Sequence, residues 1–217
     1  MEDFILRLAT GIPGFLLAIV VHELAHAYVA YRFGDSTAMM SGRVTLNPQA
    51  HIDPLGTVAL PLIGAALGGV MFGWAKPVPV NPTRFKNYRE GLFWVSFAGP
   101  LSNFLLAFFC IIGFAVLITQ VSPSFFFYDV FSQMLYQAIL INIVIGGFNL
   151  IPFPPLDGSK MVMSFLNYET SRSYEELQRY FMIFILVIWM TPILGFFLGP
   201  MIRISNLLVN TFVGFLA

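Results

Sequence analysis

Apolar residues in this chain gather into long blocks, with neither the strict alternation of a half-buried strand nor the one-sided stripe of a surface helix. A helix needs about 20 mostly apolar residues to cross a bilayer. Blocks near that length occupy residues 4–33, 55–72, 91–118, 131–150, 180–198 and 201–215. The first carries Pro13 and, in its second half, His22, Glu23 and His26, which a plain anchor would lack. The second is rich in glycine and interrupted by Pro61, so a simple crossing there is in question. The last two are separated by Gly199-Pro200.

Two polar connections stand out, 34–54 and 74–90. Gly42-Arg43-Val44-Thr45-Leu46-Asn47-Pro48 lies in one and Lys76-Pro77-Val78-Pro79-Val80-Asn81-Pro82 in the other. Apolar residues interleaved with proline favour short strands or extended backbone over helix. At membrane depth such backbone survives only where protein or water covers it, which places these segments at the interface. The pattern predicts an all-α polytopic membrane protein, a helical bundle with about five or six membrane segments, short interfacial strands and a candidate re-entrant element. Nothing divides the chain, so 1–217 is expected to form a single membrane-embedded domain.

Composition strengthens this picture. The chain is 58% hydrophobic and 10% charged, where soluble domains are about 25% charged. Eleven Lys+Arg balance 11 Asp+Glu, which leaves no basic surface for nucleic acid. The lone Cys110 sits in an apolar run and supports neither an internal disulfide nor a cysteine cluster. The start, Met-Glu-Asp-Phe, is acidic and no small-residue cleavage site follows, so the first block is expected to be retained, and no lipidation motif is evident. Lys76, Arg84, Lys86 and Arg89 follow the second block and Lys160, Arg172 and Arg179 follow the fourth, while 119–130 has no Lys or Arg. By the positive-inside rule the bare connection is external and the basic ones cytoplasmic. Block 91–118 then runs outward and 131–150 returns inward.

In His22-Glu23-Leu24-Ala25-His26 the histidines are four apart, which sets both imidazoles on one helical face a turn from each other. Zinc can bridge such a pair, and Glu23 beside the first is placed to take a proton from water activated by the metal and later to pass it to the leaving amine. An ionisable residue in a membrane helix costs about 2.5 to 3.5 kcal/mol on insertion scales and is by default a functional candidate. A hydrolytic zinc site needs a third protein ligand and an open fourth position. Asp35, His51, Asp53, Asp129 and Asp157 are the candidates, with Asp129 on the external connection and out of reach. Asp157 ends Asn149-Leu150-Ile151-Pro152-Phe153-Pro154-Pro155-Leu156-Asp157, where the prolines force extended backbone and Gly158 permits a sharp exit. Such a segment can turn a carboxylate back into the bundle.

Together, His22 to His26 and Asn149 to Gly158 resemble the two signatures of the site-2 protease family of intramembrane metalloproteases, a membrane-embedded His-Glu-x-x-His and an Asn-x-x-Pro-x-Pro-x-Leu-Asp-Gly type motif. Ala98-Gly99-Pro100-Leu101-Ser102-Asn103 resembles the family's middle core helix, and the likeness covers about residues 12–161. The resemblance implies one catalytic zinc ion held by His22, His26 and Asp157, with Glu23 as general base and Asn149 bonding the substrate carbonyl or developing oxyanion. It implies a minimal member of the family, without an attached regulatory domain, that cleaves a membrane-spanning protein substrate.

One zinc cannot bind all three ligands if every block spans, because His26 and Asp157 would then emerge at opposite faces. Demoting 55–72 to a re-entrant element resolves the conflict and brings both motifs to the cytoplasmic half of an integral, multi-pass protein of the cell membrane. His51 reads as an interfacial histidine capping a turn or as a group touching substrate or a second metal. Asn103 reads equally as a polar group near the site or as an interhelical hydrogen bond. The rival functions are a membrane zinc transporter, which needs a polar path to both faces, and an inactive binding protein of the same fold, which would more naturally lack Glu23.

Overall fold

Four helices in the computed structural model, which describes residues 2–66 and 73–217 (side chains from residue 4), are long and apolar enough to cross a membrane. They are α1 (Glu2–Arg32), α4 (Tyr88–Gln120), α5 (Tyr128–Asn149) and α9 (Ile193–Leu216); the shorter ones are α2 (Thr37–Met40), α3 (Leu60–Ala66), α6 (Asp157–Met163), α7 (Tyr168–Glu175) and α8 (Phe181–Met190). Asn87 caps α4, its side chain accepting from the Glu90 amide, and Ser122-Pro123 follows the end of that helix. Pro13, Pro100 and Pro200 lie inside helices, as membrane helices tolerate.

Helices α1, α4 and α5 pack on one another, and α9 lies against α4 and α5. Hydrophobicity does not drive helices together inside lipid, so close packing of small residues matters more. Ala18, Ala27, Ala30 and Ala115 are fully buried. Phe15, Ile19 and Val20 of α1 pack with Ile141 of α5. On the far side, Met201, Ile202, Leu208 and Phe212 of α9 close over Ile111, Ile139 and Ile143.

Of three expectations, two are corrected and one is described only in part. First, the final apolar region does not break at Gly199-Pro200: α9 runs through Pro200, and the break falls at Thr191-Pro192. The preceding α8 has only 10 residues, about 15 Å of helix, too short to span. Among the described residues four helices are long and apolar enough to span, against the five or six segments expected. Second, the expected re-entrant element 55–72 is described over residues 55–66 only. The apolar helix Pro54–Ala66 is short, and the chain returns to its base, where the Trp74 amide donates to the Gly56 carbonyl at 3.2 Å and Thr57 Oγ1 to the Trp74 carbonyl at 2.9 Å. The described parts of the region thus meet at Gly56, Thr57 and Trp74; residues 67–72 of the expected element lie outside the described residues.

Third, the interfacial strands are absent among the described residues. Prolines 77, 79 and 82 cannot donate to a ladder, so residues 76–82 are tied by other means. The Lys76 amide bonds the His51 carbonyl at 2.8 Å, and the Arg43 guanidinium reaches the Lys76 and Pro77 carbonyls at 2.6 and 3.2 Å. Asp35 accepts from the Asn81 amide at 2.6 Å and from the Thr37 amide and hydroxyl. Burial pushes the Asp35 carboxyl up, but the Thr37 and Asn81 donors and nearby Arg84 outweigh it and hold the group below the usual carboxylate range.

Candidate metal centre

His22 and His26 lie on the inner face of α1, both buried, while Glu23 between them is half-buried. Their Nε2 atoms are 3.0 Å apart, and each is 3.1 Å from Asp157 Oδ2. The rings stand edge to face, centroids 4.6 Å apart. Among the described residues this trio is the group of His, Cys, Asp and Glu side chains able to hold a metal ion.

The opposite edge of each ring decides its chemistry. His22 Nδ1 lies 2.6 Å from Asn103 Oδ1, and His26 Nδ1 lies 2.6 Å from the Val95 carbonyl. Carbonyl oxygens only accept, so Nδ1 carries the proton in both neutral rings and Nε2 presents a lone pair. The Asn103 oxygen is identified by its own amide, which donates to the Ala18 carbonyl at 3.1 Å and to Asn142 Oδ1 at 2.9 Å. Two lone pairs and a carboxylate oxygen at this spacing repel unless a cation stands among them. Ligands about 2.1 Å from zinc in a tetrahedral site are roughly 3.4 Å apart, close to the separations here.

Gly99 of α4 faces this cluster. A Cβ on it would stand 2.4 Å from His26 Nε2 and 2.6 Å from His22 Nε2. Glycine thus keeps open the space in front of both lone pairs, and two nitrogens and one oxygen around an open cradle fit a zinc ion.

Asp157 reaches the cluster because the chain after α5 is anchored on both flanks. Ile151 and Leu156 pack with Phe148 and Ile188, and Phe153 stacks on Phe184 with centroids 4.0 Å apart and rings 3° from parallel. Tyr174 donates its hydroxyl to the Pro152 carbonyl. At Gly158 a Cβ would stand 2.2 Å from the Leu150 carbonyl oxygen, so glycine permits the close turn that starts α6 at Asp157.

The remaining candidates do other work. Asp35 anchors the 76–82 segment, and Asp53 caps the turn after it by accepting from the Leu55 and Gly56 amides. Asp129 lies in the first turn of α5, at the helix end opposite Asn149. His51 is fully buried and bonds the Thr45 carbonyl at 3.0 Å, closing its own loop. Asn149 Nδ2 donates to the Ile145 carbonyl at 3.0 Å, its one side-chain hydrogen bond among the described residues.

Asn103 fulfils both of its readings, touching a site histidine while joining three helices. Asn142 and the Val95 carbonyl were not anticipated. An asparagine within the run Ile141-Asn142-Ile143 was a readable signal, since polar side chains are costly in hydrocarbon. Nothing in a sequence distinguishes one backbone carbonyl from its neighbours.

The profile described as Peptidase family M50 matches residues 124–190, a stretch containing Asn149 and Asp157. YwhC of Bacillus subtilis, named as a zinc metalloprotease, is 39% identical over 211 residues, covering 94% of this chain and 92% of its own length. Rip2 of Mycobacterium tuberculosis, also so named, is 31% identical over 189 residues, covering 87% of this chain and 70% of its own. The zinc metalloprotease MJ0392 of Methanocaldococcus jannaschii is 29% identical over 152 residues, 70% of this chain and 32% of that longer protein. No solved structure matches the chain.

Two substitutions test the cradle. Gly99→Ala fills the space before both nitrogens and is expected to abolish stoichiometric zinc binding, measured as metal content of the purified protein. Asn103→Leu keeps the volume but frees the His22 ring, and zinc affinity read by chelator competition should fall about 10- to 100-fold.

Proposed function

The chain belongs to peptidase family M50, the site-2 protease family of zinc metalloproteases, and we propose that it hydrolyses a peptide bond in or near a membrane-spanning segment of a substrate protein. The observation that carries this reading is the convergence of His22, His26 and Asp157, with Glu23 beside them, inside a membrane helix bundle. The family works with a single zinc ion; here His22 Nε2, His26 Nε2 and an Asp157 carboxylate oxygen would hold it. When bound, zinc acts as a Lewis acid that polarises a carbonyl and lowers the pKa of water to about 7.

The chain's own residues supply the rest. Glu23 is the general base: its carboxylate takes the proton from the attacking water and gives it to the departing amine. Asn103 and the Val95 carbonyl hold the two imidazoles in the tautomer that leaves Nε2 free, as outer partners of metal-bound histidines do. Asn149, whose amide has a second N–H beyond the one bonded to Ile145, donates to the substrate carbonyl as charge builds on its oxygen. A helical substrate keeps its carbonyls bonded internally and must unwind locally before cleavage.

The whole chain acts as one membrane-embedded domain. With 55–72 as a re-entrant element, α1 and α5 run in the same direction and deliver both motifs toward one face. The Lys and Arg of the 76–89 and 160–179 regions, against none in 121–127, make that face cytoplasmic in the cell membrane. Water reaches Glu23 from this side.

Glu23→Gln should retain full zinc content while cleavage of a reconstituted single-span substrate falls at least about 10²- to 10⁴-fold; undiminished proteolysis rejects Glu23 as the base. Single cysteines at Lys76 and Asn87 should label from the cytoplasmic side and one at Ser124 from outside. Labelling of all three from the same side would overturn the arrangement.

A further inference from the structure

Between residues 77 and 82 the backbone offers few donors, because Pro77, Pro79 and Pro82 have no N–H. Two of the remaining N–H groups go to carboxylates of one region of the chain. The Val78 amide donates to Glu23 Oε2 at 2.7 Å, and the Asn81 amide donates to Asp35 Oδ2 at 2.6 Å. Glu23 is in the second half of α1, and Asp35 lies three residues past its end, fully buried.

Side chains follow the same line. Val78 is buried with Ala27 and Ala38, and Val80 packs on that cluster and on the one formed by Ala30, Phe85 and Val95. Glu23, Ala27 and Ala30 recur at i, i+4 and i+7, one stripe of the helix. Pro77 and Pro79 face outward, exposed. Residues 76–82 therefore form a strap laid along α1, valines inward and prolines outward, with a hydrogen bond near each end.

We propose that this strap is the positioning element for the catalytic carboxylate: the Val78 N–H fixes one oxygen of Glu23, and Asp35 anchors the strap through the Asn81 N–H. This rests on the reading of Glu23 as general base. A glutamate side chain is among the costlier to immobilise in lost rotamers, and a half-buried one beside a metal site must be held to act reproducibly. A hydrogen bond to an ionised acceptor is the stronger kind, and it occupies one oxygen while the other stays free to accept a proton. The flanking prolines make the donor unique. A strap displaced by one residue would place a ring without N–H against the carboxylate, so the proline alternation fixes the register. Asp35 ties the same strap to α2 through its other oxygen, which accepts from Thr37. Val78 and Asp35 are thus positioning residues, acting through Glu23.

The test uses the full chain reconstituted with a single-span substrate. Val78→Pro removes the N–H while keeping extended backbone, and should lower kcat about 10²-fold with KM and zinc content unchanged. Val78→Ala loses packing but keeps the N–H and should cost much less. Asp35→Asn, nearly isosteric, cannot accept from both Thr37 and Asn81 and should lower kcat in the same direction, whereas Thr37→Val, which leaves the Asn81 contact, should stay close to the parent. A second readout needs no activity: Glu23→Ala and Asp35→Asn should each speed hydrogen exchange in a peptide covering 73–85, with or without added zinc. Equal losses in Val78→Pro and Val78→Ala, or a rise in KM at constant kcat, would overturn the proposal. So would unaltered exchange in Glu23→Ala, and that result leaves the base reading standing. Full activity of Glu23→Gln overturns the base reading, while the exchange data still report whether the strap holds that side chain.

Discussion

The two hydrogen bonds from the Nδ1 atoms of His22 and His26 govern the character of the whole site. In water an imidazole exchanges tautomers freely, and a pair of histidines a turn apart need not present lone pairs together. Inside a bundle that lipid surrounds, each Nδ1 proton has one oxygen to go to, Asn103 Oδ1 for one ring and the Val95 carbonyl for the other. Both acceptors sit on α4, two turns apart, so that helix sets the orientation of both rings on α1. Gly99, between them in sequence, is the point at which α4 comes close enough to do so without filling the space in front of Nε2.

That arrangement links catalysis to helix packing. Asn103 spends its remaining donors on the Ala18 carbonyl of α1 and on Asn142 of α5, and Asn142 bonds back to Ala138. All members of this chain are buried, where each unmet polar group would be costly. The network therefore couples the mutual position of α1, α4 and α5 to the tautomer of one site histidine. Asp157 completes the cluster from a different source, a proline-rich loop held by aromatic stacking and aliphatic packing on α8. The short α8 crosses nothing and instead braces the loop.

The residues of the candidate site were largely legible in the sequence. Helical geometry puts His22 and His26 on one face, and a proline run after a span with an Asp-Gly at its end is a strong local signal. The requirement that a single metal have its ligands on one side of the membrane made 55–72 a re-entrant candidate, and the contact between Gly56 and Trp74 is compatible with that. Other features depended on competitions that sequence does not resolve. Pro192 and Pro200 are equally able to break a helix; Pro200 is absorbed because α9 has α4 and α5 to pack against on both sides of it, whereas nothing continues the helix across Thr191-Pro192. The alternation in 76–82 suggested a strand, yet a strand needs a partner with matching donors, and the prolines that create the pattern remove them. The donors that remain find carboxylates instead.

Those carboxylates differ in exposure in a way that separates binding from reaction. His22, His26 and Asp157 are all buried, with their polar atoms directed at one another, while Glu23 is half-exposed and meets the polar loop segment. A metal-holding trio gains from a dry environment, where charge attraction is strong. A general base must exchange protons with water and cannot be sealed in. The 76–82 strap meets both demands at once, since its valines cover the apolar stripe beside the site and the Val78 N–H steadies Glu23 without enclosing it. Proline is suited to that task because it stiffens extended backbone while adding no donor to compete for the carboxylate.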